Sequence, residues 1–147
     1  MFRNILVPVD LQEPTLANRA MDIAVQQARQ GSAHLYVLTV LPGFGSPLVA
    51  TFFPADSMKK ARAEAEKRLE EYVAAHVPEG VRVTVSVSEG SPYERIMEEA
   101  ETIGVDLIVM PSHTRKLMDR VLLGSCASRV VEHARCSVLV IRGAAAP

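Results

Sequence analysis

The segment Pro111-Ser112-His113-Thr114-Arg115-Lys116-Leu117-Met118-Asp119-Arg120-Val121-Leu122-Leu123-Gly124-Ser125 sets small residues and cations ahead of a Gly-Ser pair. Where such a pair opens a helix, unpaired N–H groups and the positive end of the helix dipole favour phosphate or another anion. Gly124 permits a sharp backbone turn, and Ser125 is expected to cap the helix while offering its hydroxyl to the anion. The same pair also reads as the ordinary start of a helix, and no Walker Gly-x-x-x-x-Gly-Lys run accompanies it. A second candidate is Asp10, directly after the apolar run Ile5-Leu6-Val7-Pro8-Val9. A carboxylate there can hold ribose hydroxyls at the mouth of a parallel sheet, or it can simply begin a turn.

Covalent and acid–base chemistry find less support. His113 places an imidazole, a common acid–base group, beside the candidate anion site, but no nucleophile with an orienting acid accompanies it, so loop packing or ligand contact is the expected role. His133 is expected to meet the carbonyl end of its own helix. His34 and His76 have no constellation around them. Ser91, before Pro92, reads as a helix cap and lacks a nucleophile elbow. The only cysteines, Cys126 and Cys136, have neither a Cys-x-x-Cys spacing nor a zinc partner set. They are expected as buried thiols, with pairing left open.

The elements that must position these residues can be read from hydrophobic period. Strand-like runs occur at Asn4–Val9, Ala33–Val40, Val81–Val87, Asp106–Met110 and Ser137–Ile141. The Val81–Val87 run alternates valine with polar residues and is expected half exposed near a sheet edge. The unbroken apolar runs at the first, fourth and fifth strands suit a parallel sheet covered on both faces. Between them lie helical periods. The first places Leu16, Ala20, Ile23 and Ala24 on one face, with Pro14 in the first turn and Gly31 as its stop. The second carries Met58, Ala61, Ala65, Leu69, Tyr72 and Val73 against a charged, solvated face. The third starts with Ser91 as N-cap and Pro92 at its first position, and ends before Gly104. The fourth begins near Ser125 and buries Ala127, Val130 and Val131.

Strand and helix thus alternate throughout, which predicts right-handed crossovers and a five-stranded, doubly wound α/β fold of Rossmann-like type with helices on both faces. A ligand in such a sheet sits beyond the carboxyl ends of the strands where their order reverses, here after the first and fourth strands. Two connections are long. Residues 41–55 carry Phe44, Leu48, Phe52 and Phe53 and read as a lid or a subunit contact; residues 111–123 carry the cations. The chain, 147 residues with a frayed tail at 143–147, is expected to form one domain.

Composition excludes several classes. Hydrophobic residues are 48% and charged residues 22%, so disorder and disulfide scaffolds are poor readings. A net charge of -1 supplies no uniform field for nucleic acid or anionic lipid. With no apolar stretch of membrane-spanning length and no signal-peptide pattern in Met1-Phe2-Arg3-Asn4, the expected compartment is the cytoplasm.

Taken together, Ile5-Leu6-Val7-Pro8-Val9-Asp10, Leu38-Thr39-Val40, Glu89-Gly90-Ser91-Pro92, Leu122-Leu123-Gly124-Ser125 and His133-Ala134-Arg135-Cys136-Ser137-Val138-Leu139-Val140-Ile141-Arg142 resemble the universal stress protein family over nearly the whole chain. The resemblance implies a homodimer, with further pairing into tetramers left open, and in many members an adenine nucleotide between strands one and four. It implies Asp10 near adenine or ribose with Pro8 and Val9 beside it, and Val40 offering backbone to the base edge. Met110, Pro111, Ser112, His113 and Arg115 would complete the wall, and Gly124, Ser125 and Cys126 would hold phosphates. Magnesium could accompany a triphosphate, although no carboxylate cluster specifies it. Nucleotide-binding members carry Gly-x-x-Gly, nine residues, then Gly-Ser or Gly-Thr; here Pro111 and Thr114 occupy the first two glycine positions, and this chain resembles a branch whose loop begins Ser-His. Proline has no N–H to give, while Arg115 and Lys116 add cations. The implied function is an ATP-binding stress sensor or regulator acting by binding and not as an enzyme; the alternative is a nucleotide-free dimeric protein that meets an unknown partner.

Overall fold

The computed structural model describes residues 1–43, 54, 56–113 and 123–143. Five strands are present, β1 (Asn4–Pro8), β2 (His34–Leu41), β3 (Val83–Glu89), β4 (Leu107–Pro111) and β5 (Ser137–Ile141). The helices are α1 (Asn18–Gly31), α2 (Ser57–His76), α3 (Pro92–Ile103) and α4 (Ser125–His133), and a 3-10 turn at Pro14–Ala17 leads into α1. All strand pairs are parallel, in the order β3-β2-β1-β4-β5. This is the expected five-stranded α/β sheet, and its strand order reverses between β1 and β4.

Alternate side chains along each strand feed two cores, as the two-residue period requires. On one face Ile5, Val7, Leu35, Val37, Leu107 and Val109 meet α1 and α2 through Ala20, Met21, Ala24, Leu69 and Val73. On the other, Leu6, Leu38, Ile108 and Met110 meet α3 and α4 through Ile96, Ala100, Ala127 and Val130. β4 is buried along its whole length, as its continuous apolar run implies, and β3 is the half-exposed edge.

Some expectations change at element ends and outer turns. β5 is also an edge strand, with Leu139 38% exposed, so it is not covered on both faces. Val131 is exposed, because the short α4 turns only Ala127 and Val130 to the core. Ala61 is likewise exposed and Ile23 only half-buried; Met21, Val25 and Ala28 complete the α1 stripe. Gly31 is the last residue of α1, and the left-handed position falls on Ser32 at φ 52°. Glycine is still needed at 31, since a Cβ there would lie 3.0 Å from the Phe2 carbonyl oxygen. Gly104 closes α3 in the left-handed conformation, as expected.

Candidate functional site

The β1–β4 ladder pairs Ile5 with Leu107 and Leu6 with Ile108. By contrast β1–β2 continues to Pro8 and Leu38, and β4–β5 continues to Pro111 and Ile141. The two central strands therefore part before their carboxyl ends, and a crevice of about 320 Å³ opens between them. That volume suits a small-molecule site, roughly 300–1,000 Å³.

Of the residues expected from sequence, Pro8, Val9, Asp10, Val40, Met110, Pro111, Ser125 and Cys126 line this crevice. Ser112, His113 and Gly124 form the layer behind it. Ser112 is buried; its N–H donates to the Ile141 carbonyl at 2.9 Å and its carbonyl accepts the Gly124 N–H at 2.8 Å. These bonds fix the start of α4 against the tip of β4. His113 packs on Gly124, and its buried ring nitrogens have no hydrogen-bond partner among the described residues. Arg115, Thr114 and Lys116 lie outside the described residues, as do Phe44, Leu48, Phe52 and Phe53.

The tip of β1 is held by backbone and side chain together. The Val9 N–H donates to the Leu38 carbonyl at 2.8 Å, and the buried Thr39 hydroxyl donates to the Val9 carbonyl at 2.7 Å. Asp10 then begins a turn, its Oδ1 accepting the Gln12 N–H at 2.9 Å while its carbonyl accepts the Glu13 N–H. The turn reading and the lining reading of Asp10 both hold. From α2, Arg68 donates to the Leu11 carbonyl at 2.6 Å and fastens the same turn.

Val40 acquires its role from strand alternation. His34 donates to Arg3, and Leu38 accepts from Val9, so even-numbered residues of β2 aim their peptide groups at β1. Leu35 donates to Arg82 and Leu41 accepts from Gly90, so odd-numbered residues face β3. Val40 consequently presents one N–H and one C=O toward the β1 side, beyond the point where β1 ends at Pro8.

The opposite wall comes from α4. Gly124, and not Ser125, is the N-cap, and no side chain caps the helix; Ser125 is its first residue and lines the crevice. Arg129, one turn further on, places its guanidinium carbon 4.3 Å from the centroid of the Tyr93 ring. Burial pushes the Cys126 thiol up from its ordinary pKa, against the opposing pull of Arg129. Cys136 is also a free thiol raised by burial. His133 is the last residue of α4, at the helix's carbonyl end; its ring lies 3.8 Å from Glu132 and faces Tyr93.

The sequence reading missed two groups of wall residues. Gly90, Ser91, Pro92 and Tyr93 arrive from β3 and the start of α3. Gly90 adopts φ 125°, a conformation that glycine tolerates, and sends the chain back toward the crevice. Ser91 is the N-cap of α3 but makes no side-chain capping bond. The other group is Gln12, Glu13, Leu16 and Ala17, after β1. Arg129 could have been found, because it sits four residues beyond Ser125 on one helix face. The walls differ in charge: Asp10 and Glu13 lie on the β1 side, Arg129 and the amino end of α4 on the other. Among the described residues no group of three His, Cys, Asp or Glu is arranged to hold a metal, and no helix is long and apolar enough to cross a membrane.

The sequence model of the Universal stress protein family matches residues 1–142. The chain is 35% identical over 145 residues to Universal stress protein G of Escherichia coli O157:H7, covering 97% of this chain and 100% of that one. It is 32% identical over 145 residues to Universal stress protein MJ0531 of Methanocaldococcus jannaschii, covering 97% of this chain and 83% of the relative. Its fold is similar to the solved structure of the protein MJ0577, with a TM-score of 0.83, 27% identity and 99% of each chain covered.

Proposed function

Because the chain belongs to the universal stress protein family, we propose that it holds an adenine nucleotide, ATP or a relative, in the crevice between β1 and β4, and acts in stress response by binding and not by turnover. The observation that carries this reading is the peptide edge that Val40 turns toward the β1 side, past the end of β1, at one end of a crevice whose other end is a helix start. The adenine edge presents an amine donor beside a ring-nitrogen acceptor, which complements one C=O and one N–H on a single residue. Guanine presents the reverse order. The aliphatic walls supplied by the buried Val9 and Met110 and the half-buried Val40 suit a purine face. Phosphates would then reach the amino end of α4, with the Ser125 hydroxyl and Arg129 as donors. A magnesium ion would ride on the phosphate oxygens.

Two proteins with this fold, each 23% identical to the chain, are described in complex with cAMP and with dAMP. Those ligands belong to those proteins; they support an adenine nucleotide here as a class. Equilibrium dialysis with labelled ATP tests the reading. Saturable binding below millimolar ligand is expected, and no binding at millimolar ligand would sink it.

A second reading is favoured by one residue. Pro111 lines the crevice and has no N–H to give a phosphate. A nucleotide-free chain that works through protein contacts would follow if dialysis shows no binding. The proposal also pairs two copies of the chain along β5, where the edge is open and Leu139 is exposed.

A further inference from the structure

One carboxylate oxygen beside the crevice has no partner among the described residues. Glu13 lines the space, and its Oε2 is buried with no hydrogen-bond partner among the described residues. An acceptor withdrawn from water and left unpaired is costly, typically about 1–3 kcal/mol and more for a charged group. Such an atom points to a donor that arrives from outside the chain.

Its position limits which donor that is. Glu13 follows Asp10 in the same turn, its N–H bonded to the Asp10 carbonyl at 3.1 Å, and it opens the 3-10 turn that packs against β4. Glu13 therefore lies over the gap between β1 and β4. Val40 is on β2, on the far side of β1, and the helix start of α4 follows β4. A nucleotide with its base at Val40 and its phosphates at α4 must carry its sugar across that gap. Charge agrees with this placement. A carboxylate wall formed by Asp10 and Glu13 repels phosphate and attracts hydroxyl donors, while Arg129 does the reverse.

We propose that Glu13 reads the sugar: its side chain turns into the crevice it lines, the unpaired Oε2 accepts a hydrogen bond from a ribose hydroxyl, and the crevice thereby selects ribonucleotides over their deoxy counterparts. The inference rests on the nucleotide reading above. It assigns Glu13 to specificity, separately from the base contact at Val40 and the phosphate contacts at α4.

Titration calorimetry with ATP, 2′-deoxy-ATP and 3′-deoxy-ATP tests it on the intact chain. The wild-type chain should bind ATP about tenfold more tightly than at least one deoxy form, the effect of one charge-assisted hydrogen bond. Glu13→Ala should bring that ratio close to one, mainly by weakening ATP. Glu13→Gln, which keeps an acceptor oxygen but loses the charge, should give an intermediate ratio. The unliganded Glu13→Ala protein should melt no lower than the wild type, since it removes an unpaired buried oxygen. Equal affinity of the wild type for all three nucleotides, or an unchanged ratio in Glu13→Ala, overturns the assignment while leaving adenine binding intact. Failure of the wild type to bind any of them overturns both readings.

Discussion

At Gly124 the backbone has φ −62°, a conformation open to any residue, so the glycine is required for space. A Cβ there would lie 3.1 Å from the Ser112 carbonyl oxygen and 3.4 Å from His113 Nδ1. Gly124→Ala must push α4 away from the tip of β4, and overpacking of this kind costs about 1–3 kcal/mol. We expect a fall in melting temperature of about 3 °C or more and at least tenfold weaker ATP binding, read by calorimetry. Cys126 leads to a chemical prediction. Its raised pKa means that little thiolate exists near neutral pH, so iodoacetamide at pH 8 should label it more slowly in the folded chain than in urea. Equal rates would show that burial does not protect it. At this scale the sequence placed Asp10 and Ser125 beside the crevice and Gly124 at the start of α4, because residue type and place in the strand–helix order suffice there. It misassigned the cap to Ser125, because Gly and Ser both favour that position and only backbone geometry separates them.

Tyr72 joins two helices. Its hydroxyl donates to Asn18 Oδ1 at 2.9 Å, tying α2 to α1, and its ring stacks on His76 one turn along α2. Burial, followed by the nearby Asp22 charge, pushes the phenol up to about 12 from 10.0. A folded pKa above the unfolded one gives stability that is complete below pH 10 and is lost as pH rises toward 12. The Tyr72→Phe chain should therefore show a flatter fall in melting temperature from pH 9 to 11.5 than the wild type, while being less stable at pH 7 by about 1 kcal/mol. At the other end of the sheet, Asp106 accepts the N–H groups of Arg3 and Asn4 at 2.8 and 3.0 Å and anchors the beginning of β1. Asp106→Ala should lower stability by about 1–2 kcal/mol in urea titration, with binding at the opposite end largely retained. Strand and helix identities were legible because the two-residue alternation of Val81–Val87 and the short unbroken apolar run of Leu107–Pro111 both differ sharply from the 3.6-residue stripe of Ala65–Val73. Val131 and Ala61 were not, since a stripe on paper does not say how much of a helix the sheet beneath it covers.

For the whole molecule, a parallel sheet that reverses after its first and fourth strands was readable from the strand–helix sequence, yet its strand order and much of the wall were not. Tyr93 and Glu13 come from different crossovers and meet only because β3-β2-β1-β4-β5 folds them over one gap. Assembly makes its own prediction. Leu139 on the open edge of β5 should be covered in a pair, so sedimentation at micromolar concentration should show a dimer, and Leu139→Glu should shift it toward monomer without unfolding. A wild-type monomer would refute pairing by this edge. The early parting of β1 from β4 reaches further than the crevice it creates. The sheet amounts to two leaves sewn at one hem, with Asp10 and Val40 on one leaf and Pro111 and Ser125 on the other. Any guest that touches both is a clasp at the loose margin, and it should quiet the hinge as a whole. The Asp106 amide, which crosses the seam to the Asn4 carbonyl at 3.0 Å far from any guest, should then trade its hydrogen for deuterium more slowly once the clasp is closed.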